Sequence, residues 1–292
     1  MCAGVKLLSV PNVSEGRDAA VIDAVAAAFT AGGGARLLDL HTDPDHHRSV
    51  FTLAGSAGAL AESILAGARA ALERIDLSAH EGIHPRVGAL DVAPIVYLRP
   101  EARGAACAEA LVLGDLLGQH LGLPVLMYGE LAGGRTRAEL RRGGPAELAR
   151  RIEAGELLPD FGPRRVDPRH GAVLVAARPP LVAFNVELGP GVTVEQAQQI
   201  AALIREGGGE GLPGVRAIGL WLATAERAQI STNIDDHTLA SAAEVVEAIA
   251  RHARPAAAEL VGLAPRAAFE DFPADLEVRN LHLIEDALIL GG

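Results

Sequence analysis

Cys2 and Cys107 are the only cysteines in 292 residues, and no CxxC pair occurs. A disulfide framework and a cysteine-rich zinc site are therefore excluded. Lys6 is the sole lysine, so arginine carries the basic charge and no interior lysine is present to form a Schiff base. Aromatic residues are 3% of the chain, too few for a surface that stacks nucleobases along a strand. The net charge is −11 and contains no basic run, whereas binding through phosphate contacts needs a basic face. No nucleic-acid partner is expected. No stretch reaches 18 apolar residues without glycine, proline or charge, so no membrane span is expected. The start, MCAGVKLLSVPN, lacks the layout of a secretory signal. A cytoplasmic protein is the expectation. Neither a P-loop nor a GxSxG nucleophile elbow is present. The glycine triplets sit at helix ends as stops, not at the strand-to-helix turn where phosphates are cradled.

What the chain does have is apolar residues, 49% of the total, enough for a large core. Val5–Val10 reads as a strand ended by Pro11-Asn12. Val21, Ile22, Val25 and Phe29 then form a helical series that Gly32-Gly33-Gly34 stops. Leu37–His41 and Ser49–Leu53 read as strands, about Ala57–Ile75 as a helix, and Val87–Leu98 as a strand. This is a split βαβ order, β-α-β-β-α-β. A helix over about Ala105–Leu121, a strand at Val125–Tyr128 and short helices through Ala138–Arg151 follow. PDFGPRRVDPRHG, with three prolines and no periodicity, is a loop or linker. The order then returns: strand Leu181–Leu188, helix Val194–Arg205, strands Val215–Ala223 and Gln229–Thr232, helix Ala240–His252 and strand Glu259–Leu263. Leu281–Leu290 reads as a last helix. The expected class is α+β, two ferredoxin-like βαββαβ subdomains packed side by side with a cleft between them, divided as residues 1–178 and 179–292.

Three polar clusters interrupt these apolar elements. In VPNVSEGRD, Pro11-Asn12 turns the chain and Ser14 or Asp18 caps the helix, while Asn12 and the backbone amides there could hold an anion. HTDPDHHR, from His41, has three histidines and two aspartates in seven residues. A metal is one reading, but strand alternation would send His46 and His47 to opposite faces. A loop of hydrogen-bonding residues is the reading adopted, and no metal is expected. In AHEGIHPRVGALDVAP, His80 and His84 are four apart, yet Gly82 and Pro85 disfavour the regular helix that paired ligands would need. A neutral imidazole there suits proton transfer. Arg86 offers a fork for a carboxylate, and Asp91, inside the next strand, must find a partner if buried.

Taken in order, VPNVSEG, LLDLHTDPDHHRSVFTLAG, GIHPRVGALDVAP, LPVLMYGELA, LLPDFGP, LVAFNVEL, QISTN and ELVGLAP resemble the formiminotransferase family over Val10–Pro265. The resemblance implies two ferredoxin-like subdomains. It also implies transfer of a formimino group from formiminoglutamate to N5 of tetrahydrofolate, in histidine breakdown. It places the catalytic histidine at His84 in HPR-x-GALD and a companion histidine at His80. The folate-contacting stretch maps to Gly162, Pro163, Arg164, Arg165, Val166, Asp167, Pro168, Arg169, His170 and Gly171. Tetrahydrofolate is a co-substrate and no metal is implied. Substrate-binding candidates are Asn12, His41, Arg48, His80, Arg86 and Asp91, since two glutamate-bearing substrates need local positive charge on an acidic protein. Asp39 or Asp91 could orient an imidazole.

The sequence departs from the family pattern at His41, a position often acidic, and at His47, where mammalian-type members have asparagine. Its folate stretch is also richer in arginine. Formyl transfer from N-formyl-glutamate and a non-catalytic folate-binding role therefore stand as alternatives. The family's mammalian proteins add a cyclodeaminase domain for which 292 residues leave no room, so no deaminase step is expected. A homodimer is the default assembly.

Overall fold

In a computed structural model that describes residues 6–289, the chain divides between Pro179 and Pro180 into two compact units. Cys2, Val5 and Leu290, on which parts of the expectations fall, lie outside the described residues.

The first unit opens with β1 (Lys6–Ser9) and β2 (Asn12–Val13), one course of chain interrupted at Val10-Pro11. It continues through α1 (Ala19–Thr30), β3 (Ala35–Asp43), β4 (Arg48–Ser56), α2 (Leu60–Arg74) and β5 (Leu90–Val96). Next come α3 (Arg103–Leu121), β6 (Val125–Met127), α4 (Arg137–Arg141), α5 (Gly144–Glu153) and β7 (Val173–Arg178). The sheet runs β3-β4-β1/β2-β5-β7-β6. Its pairings are antiparallel up to β5, and β5, β7 and β6 are parallel.

Asp18 caps α1, accepting from the amides of Ala20 and Val21, which leaves Ser14 free for a different bond. Helix α2 has no local cap. Its first turn is capped from α3, where buried Glu109 accepts from Gly58 N at 2.6 Å and Ala61 N at 2.7 Å. No alternation marks β7, because VLVAA is continuously apolar, as suits a parallel strand covered on both faces. Val173, Val175 and Ala177 join the core under α1, α2 and α3. Leu174 and Ala176 join a second core with Leu140, Leu148 and Ile152 of α4 and α5.

The second unit comprises β8 (Val182–Leu188), α6 (Val194–Ile204), β9 (Val215–Leu222), β10 (Arg227–Ile234), α7 (Ala242–Ala250) and β11 (Pro255–Val261). Short pieces follow: β12 (Leu263–Ala264), β13 (Val278–Arg279), β14 (His282–Leu283) and α8 (Ile284–Ile289). The main sheet is β13-β11-β8-β10-β9, with β12 and β14 paired separately. Capping boxes at Thr193/Gln196 and Ser241/Glu244 start α6 and α7. Phe184 packs edge-on against Phe269 and Phe272 in the core.

Both units are α+β, and each has the order β-α-β-β-α-β. Several expected boundaries shift, these three among them. The strand read at Glu259–Leu263 is β11 at Pro255–Val261; its alanine run carries little strand signal, and Gly262, at φ +76°, breaks the chain before β12. The strand read from Val87 begins at Leu90, because the Val87 amide is taken by the Asp91 side chain. The last helix begins at Ile284, after β14. No helix among the described residues is long and apolar enough to cross a membrane.

Candidate active site

The three polar clusters converge in the first unit. Strand β3 ends at Asp43, and a turn carries the chain to Arg48 at the start of β4. Asp43 builds that turn: Oδ1 accepts from the His46 amide at 2.9 Å and Oδ2 accepts from His46 Nδ1. Burial pushes the Asp43 carboxyl upward, but the His46 contacts outweigh it and hold the group at about 2. His46 is buried, and its Nε2 has no hydrogen-bond partner among the described residues. His47 takes a left-handed backbone at φ +51°, its Nδ1 accepts from the Gly16 amide at 3.1 Å, and its ring stacks on His80 with centroids 4.2 Å apart. His80 Nε2 donates to the His47 carbonyl at 3.0 Å. Burial lowers the pKa of both rings.

The loop before β5 is fastened from several sides. Arg86 spends Nη1 on the Gly82 carbonyl and Nη2 on the His80 carbonyl, so it staples its own loop. Arg17 reaches the Pro44 and Glu81 carbonyls. Ser14 joins the VPNVSEG turn to the same loop, its hydroxyl donating to the Gly88 carbonyl at 2.8 Å and its amide to Ala89.

His84 lies in the middle. Its Nε2 is 2.7 Å from Arg48 Nη1. An arginine can donate and never accept, so Nε2 holds the lone pair and the ring proton is on Nδ1. His46 stands edge-on to the ring at 6.0 Å between centroids. Burial first, and then the positive charges of Arg48, Arg141 and Arg137 with His46 nearby, push His84 well below the usual imidazole range. It is neutral at pH 7. Arg48 is itself lowered to about 10 by burial and by Arg141, with Asp91 and Asp43 partly opposing, and it stays charged. Asp91 is buried, accepting from the Val87 amide at 2.6 Å and from Arg141 Nη2. The imidazole thus leans on a guanidinium, where the sequence suggests a carboxylate. Around His84 and Arg48 stand Arg137 and Arg141 and the carboxylates of Asp43 and Asp91.

Arg137 and Arg141 are residues that sequence reasoning misses. Both lie on α4, started by a Thr136/Glu139 capping box, and their i, i+4 spacing puts them on one face. Arg137 also sits 5.7 Å above the Tyr128 ring. Nothing local says that this face turns toward residue 84. The Asp43–His46 pair is likewise missed, although carboxylate and histidine three apart at a strand end are visible. HEGIH, residues 80–84, also spells HExxH, which on a helix would aim two imidazoles at one zinc ion. The segment is irregular, and the two Nε2 atoms go to separate partners, the His47 carbonyl and Arg48.

Asn12 and His41 sit farther along the strands. Both pair in register with Val50, His41 from β3 and Asn12 from β2, so the three form one row across the sheet. The Asn12 amide donates to the Val10 carbonyl at 3.0 Å.

Residues 162–171 dock against the His84 loop. Gly162 (φ +78°) and Gly171 (φ +73°) pin the two ends; a Cβ at either would lie 2.0 Å from the Leu123 carbonyl oxygen or 2.1 Å from that of Val87. Leu77 N donates to the Arg169 carbonyl and Ala89 N to that of His170, each at 2.9 Å. Val166 is sunk in the second core. Pro163, Arg164, Arg165, Asp167, Pro168 and Arg169 are exposed, Arg169 Nε reaching Asp76 at 3.0 Å. His170 Nδ1 is 3.5 Å from Asp167.

Residues 6–178 match the model of the formiminotransferase domain, N-terminal subdomain, and residues 183–280 that of the formiminotransferase domain. The chain is 39% identical to formimidoyltransferase-cyclodeaminase of Sus scrofa over 95% of its own length and 53% of that protein. Glutamate formimidoyltransferase of Streptococcus pyogenes is 33% identical over 94% of this chain and 97% of its own length. That of Thermoplasma acidophilum is 35% identical, over 90% and 89%. The chain spans about half the length of the formimidoyltransferase-cyclodeaminases it matches.

Proposed function

The chain belongs to the formiminotransferase family, and we propose that it is a glutamate formimidoyltransferase, moving the formimino group of N-formimidoyl-L-glutamate to N5 of tetrahydrofolate. The products are 5-formimidoyltetrahydrofolate and glutamate. One observation carries this reading: a neutral, half-buried imidazole, His84, whose Nε2 lies 2.7 Å from Arg48 Nη1, with Arg141 and Arg137 acting on it. Transfer between two nitrogens needs a group that takes a proton from one and returns it to the other, and a neutral histidine can do both. Two glutamate-bearing substrates also need cations.

Tetrahydrofolate supplies a secondary amine, N5, as the nucleophile. His84 accepts the N5 proton as the new N–C bond forms, then delivers it to the glutamate nitrogen as the old C–N bond breaks. Arg48, with Arg137 and Arg141 beside it, holds a donor carboxylate. His80, Arg86 and Asp91 keep the loop and the arginines in place, and Asn12 and His41 complete the substrate side. Residues Gly162–Gly171 fit the folate: exposed Arg164 and Arg165 on a segment pinned at both ends suit the anionic tail. The strand order in each unit, fourth-first-third-second along its βαββαβ core, supports two ferredoxin-like subdomains that part between Pro179 and Pro180, one residue from the expected division into 1–178 and 179–292.

Turnover of purified protein with tetrahydrofolate and either N-formimidoyl- or N-formyl-glutamate tests the assignment. Formimino transfer is expected to dominate; faster formyl transfer would replace the donor, and binding of folate without turnover of either would replace the enzyme by a folate carrier. The folate segment has its own check. Joint replacement of Arg164 and Arg165 by alanine should raise KM for tetrahydrofolate about tenfold with kcat unchanged, since exposed ion pairs contribute up to about 1 kcal/mol each. An unchanged KM would remove these arginines from the folate site.

A further inference from the structure

His84 cannot act as a base in the arrangement described. Its Nδ1 bears the ring proton, and the lone pair on Nε2 already accepts from Arg48 Nη1 at 2.7 Å. Arg48 has cause to leave. Its buried Nε–H has no acceptor among the described residues, and Arg141 and Arg137 crowd it with like charge. A neutral imidazole is a weaker partner for a guanidinium than a carboxylate, which brings the opposite charge and can accept two parallel N–H bonds.

We propose, resting on the functional reading above, that Arg48 is a positioning residue that masks His84 in the free enzyme and is drawn off Nε2 by a carboxylate of the glutamyl donor. The exchange makes and breaks no covalent bond. The Nη1–H leaves Nε2 for a carboxylate oxygen, and the freed lone pair faces the N5 proton. Donor binding thus creates the base, and folate arriving first meets a masked imidazole.

The exchange has an electrostatic signature. The groups facing His84 are Arg48 from β4, His46 from the β3–β4 turn, and Arg141 and Arg137 from α4; Asp43 and Asp91 face Arg48. Loss of the guanidinium contact and arrival of a carboxylate both favour the protonated ring. His84 should therefore titrate at higher pH with donor bound.

The test is an NMR titration of histidine-labelled protein, the His84 signal assigned with H84Q, alone and saturated with N-formimidoyl-L-glutamate in the absence of tetrahydrofolate. Calorimetry confirms saturation. His84 is expected to titrate below the ordinary histidine range in the free protein and to rise by about a unit or more with donor. In Arg48→Gln the free protein should already titrate above the wild-type free value, and donor should move it less than in the wild type, since only the carboxylate's contribution is left. In kinetics, the acid limb of kcat should lie at higher pH than that of kcat/KM in the wild type, and the gap should narrow in Arg48→Gln. Donor that binds and turns over without moving His84 overturns the masking role and leaves the assigned function standing. Donor that does not bind at all overturns both. The wild-type titration decides the matter even should Arg48→Gln fail to fold.

Discussion

Replacing His84 with alanine is expected to lower kcat about 10²–10⁴-fold, the usual contribution of a positioned proton-transfer group, with KM for both substrates changed by less than about threefold. His84 is pushed well below the ordinary histidine range by burial first and by surrounding arginines second, so at pH 7 the wild-type ring is neutral. The acid limb of activity should lie below pH 6.5, activity falling as the ring is protonated, and this limb should vanish from the residual rate of H84A. Stability gives an independent sign. His47, His80 and His84 all bind protons less readily when folded, so below pH 6.5 the unfolded chain holds more protons and stability falls as pH falls. H84A should lose part of that acid sensitivity. Asp43 acts lower on the scale: held at about 2, it contributes stability above about pH 3.9 that is lost as pH falls through about 2. Steady-state kinetics decides the catalytic role, and H84A turning over within tenfold of wild type would end it.

The elements that periodicity reveals are those whose signals are local. Ile22, Val25 and Phe29 mark α1 at helical spacing and are the residues it buries; the helix expected from Ala240 begins at Ala242, because Ser241 and Glu244 close a capping box there. What stays hidden is made by distant parts of the chain. Glu109 caps α2 from about fifty residues away, and no capping residue beside α2 hints at it. In the candidate site the histidine positions are visible, because imidazoles between apolar strands are conspicuous, but their partners are not. Arg48 and His84 meet across 36 residues, and Arg141 and Asp91 across 50. Arg86 shows the opposite error. Its place beside His84 suggests a carboxylate fork, yet its donors close on loop carbonyls, since a loop without secondary structure must satisfy its backbone somehow.

Asp91→Ala is expected to destabilise the protein by about 3–5 kcal/mol, the cost of breaking a buried ion pair from one side. Asp91 is 1% exposed and accepts from two donors, the Val87 amide and Arg141 Nη2. Removing it strands both. The amide is left without an acceptor between the His84 loop and β5. Arg141, 15% exposed, is left beside Arg48 and Arg137, and of the two carboxylates facing Arg48 only Asp43 remains. Two further variants separate these losses. Asp91→Asn keeps an oxygen for the Val87 amide and loses the charge, so it should cost less than alanine while still leaving Arg141 unbalanced. Arg141→Ala in the Asp91→Ala background removes the stranded cation and should recover part of the loss, a coupling of about 0.5–3 kcal/mol in a double-mutant cycle. Chemical denaturation measures all three. An Asp91→Ala loss below about 1 kcal/mol, or a cycle without coupling, would mean that water already balances the arginines and that Asp91 does not hold this corner of the site together.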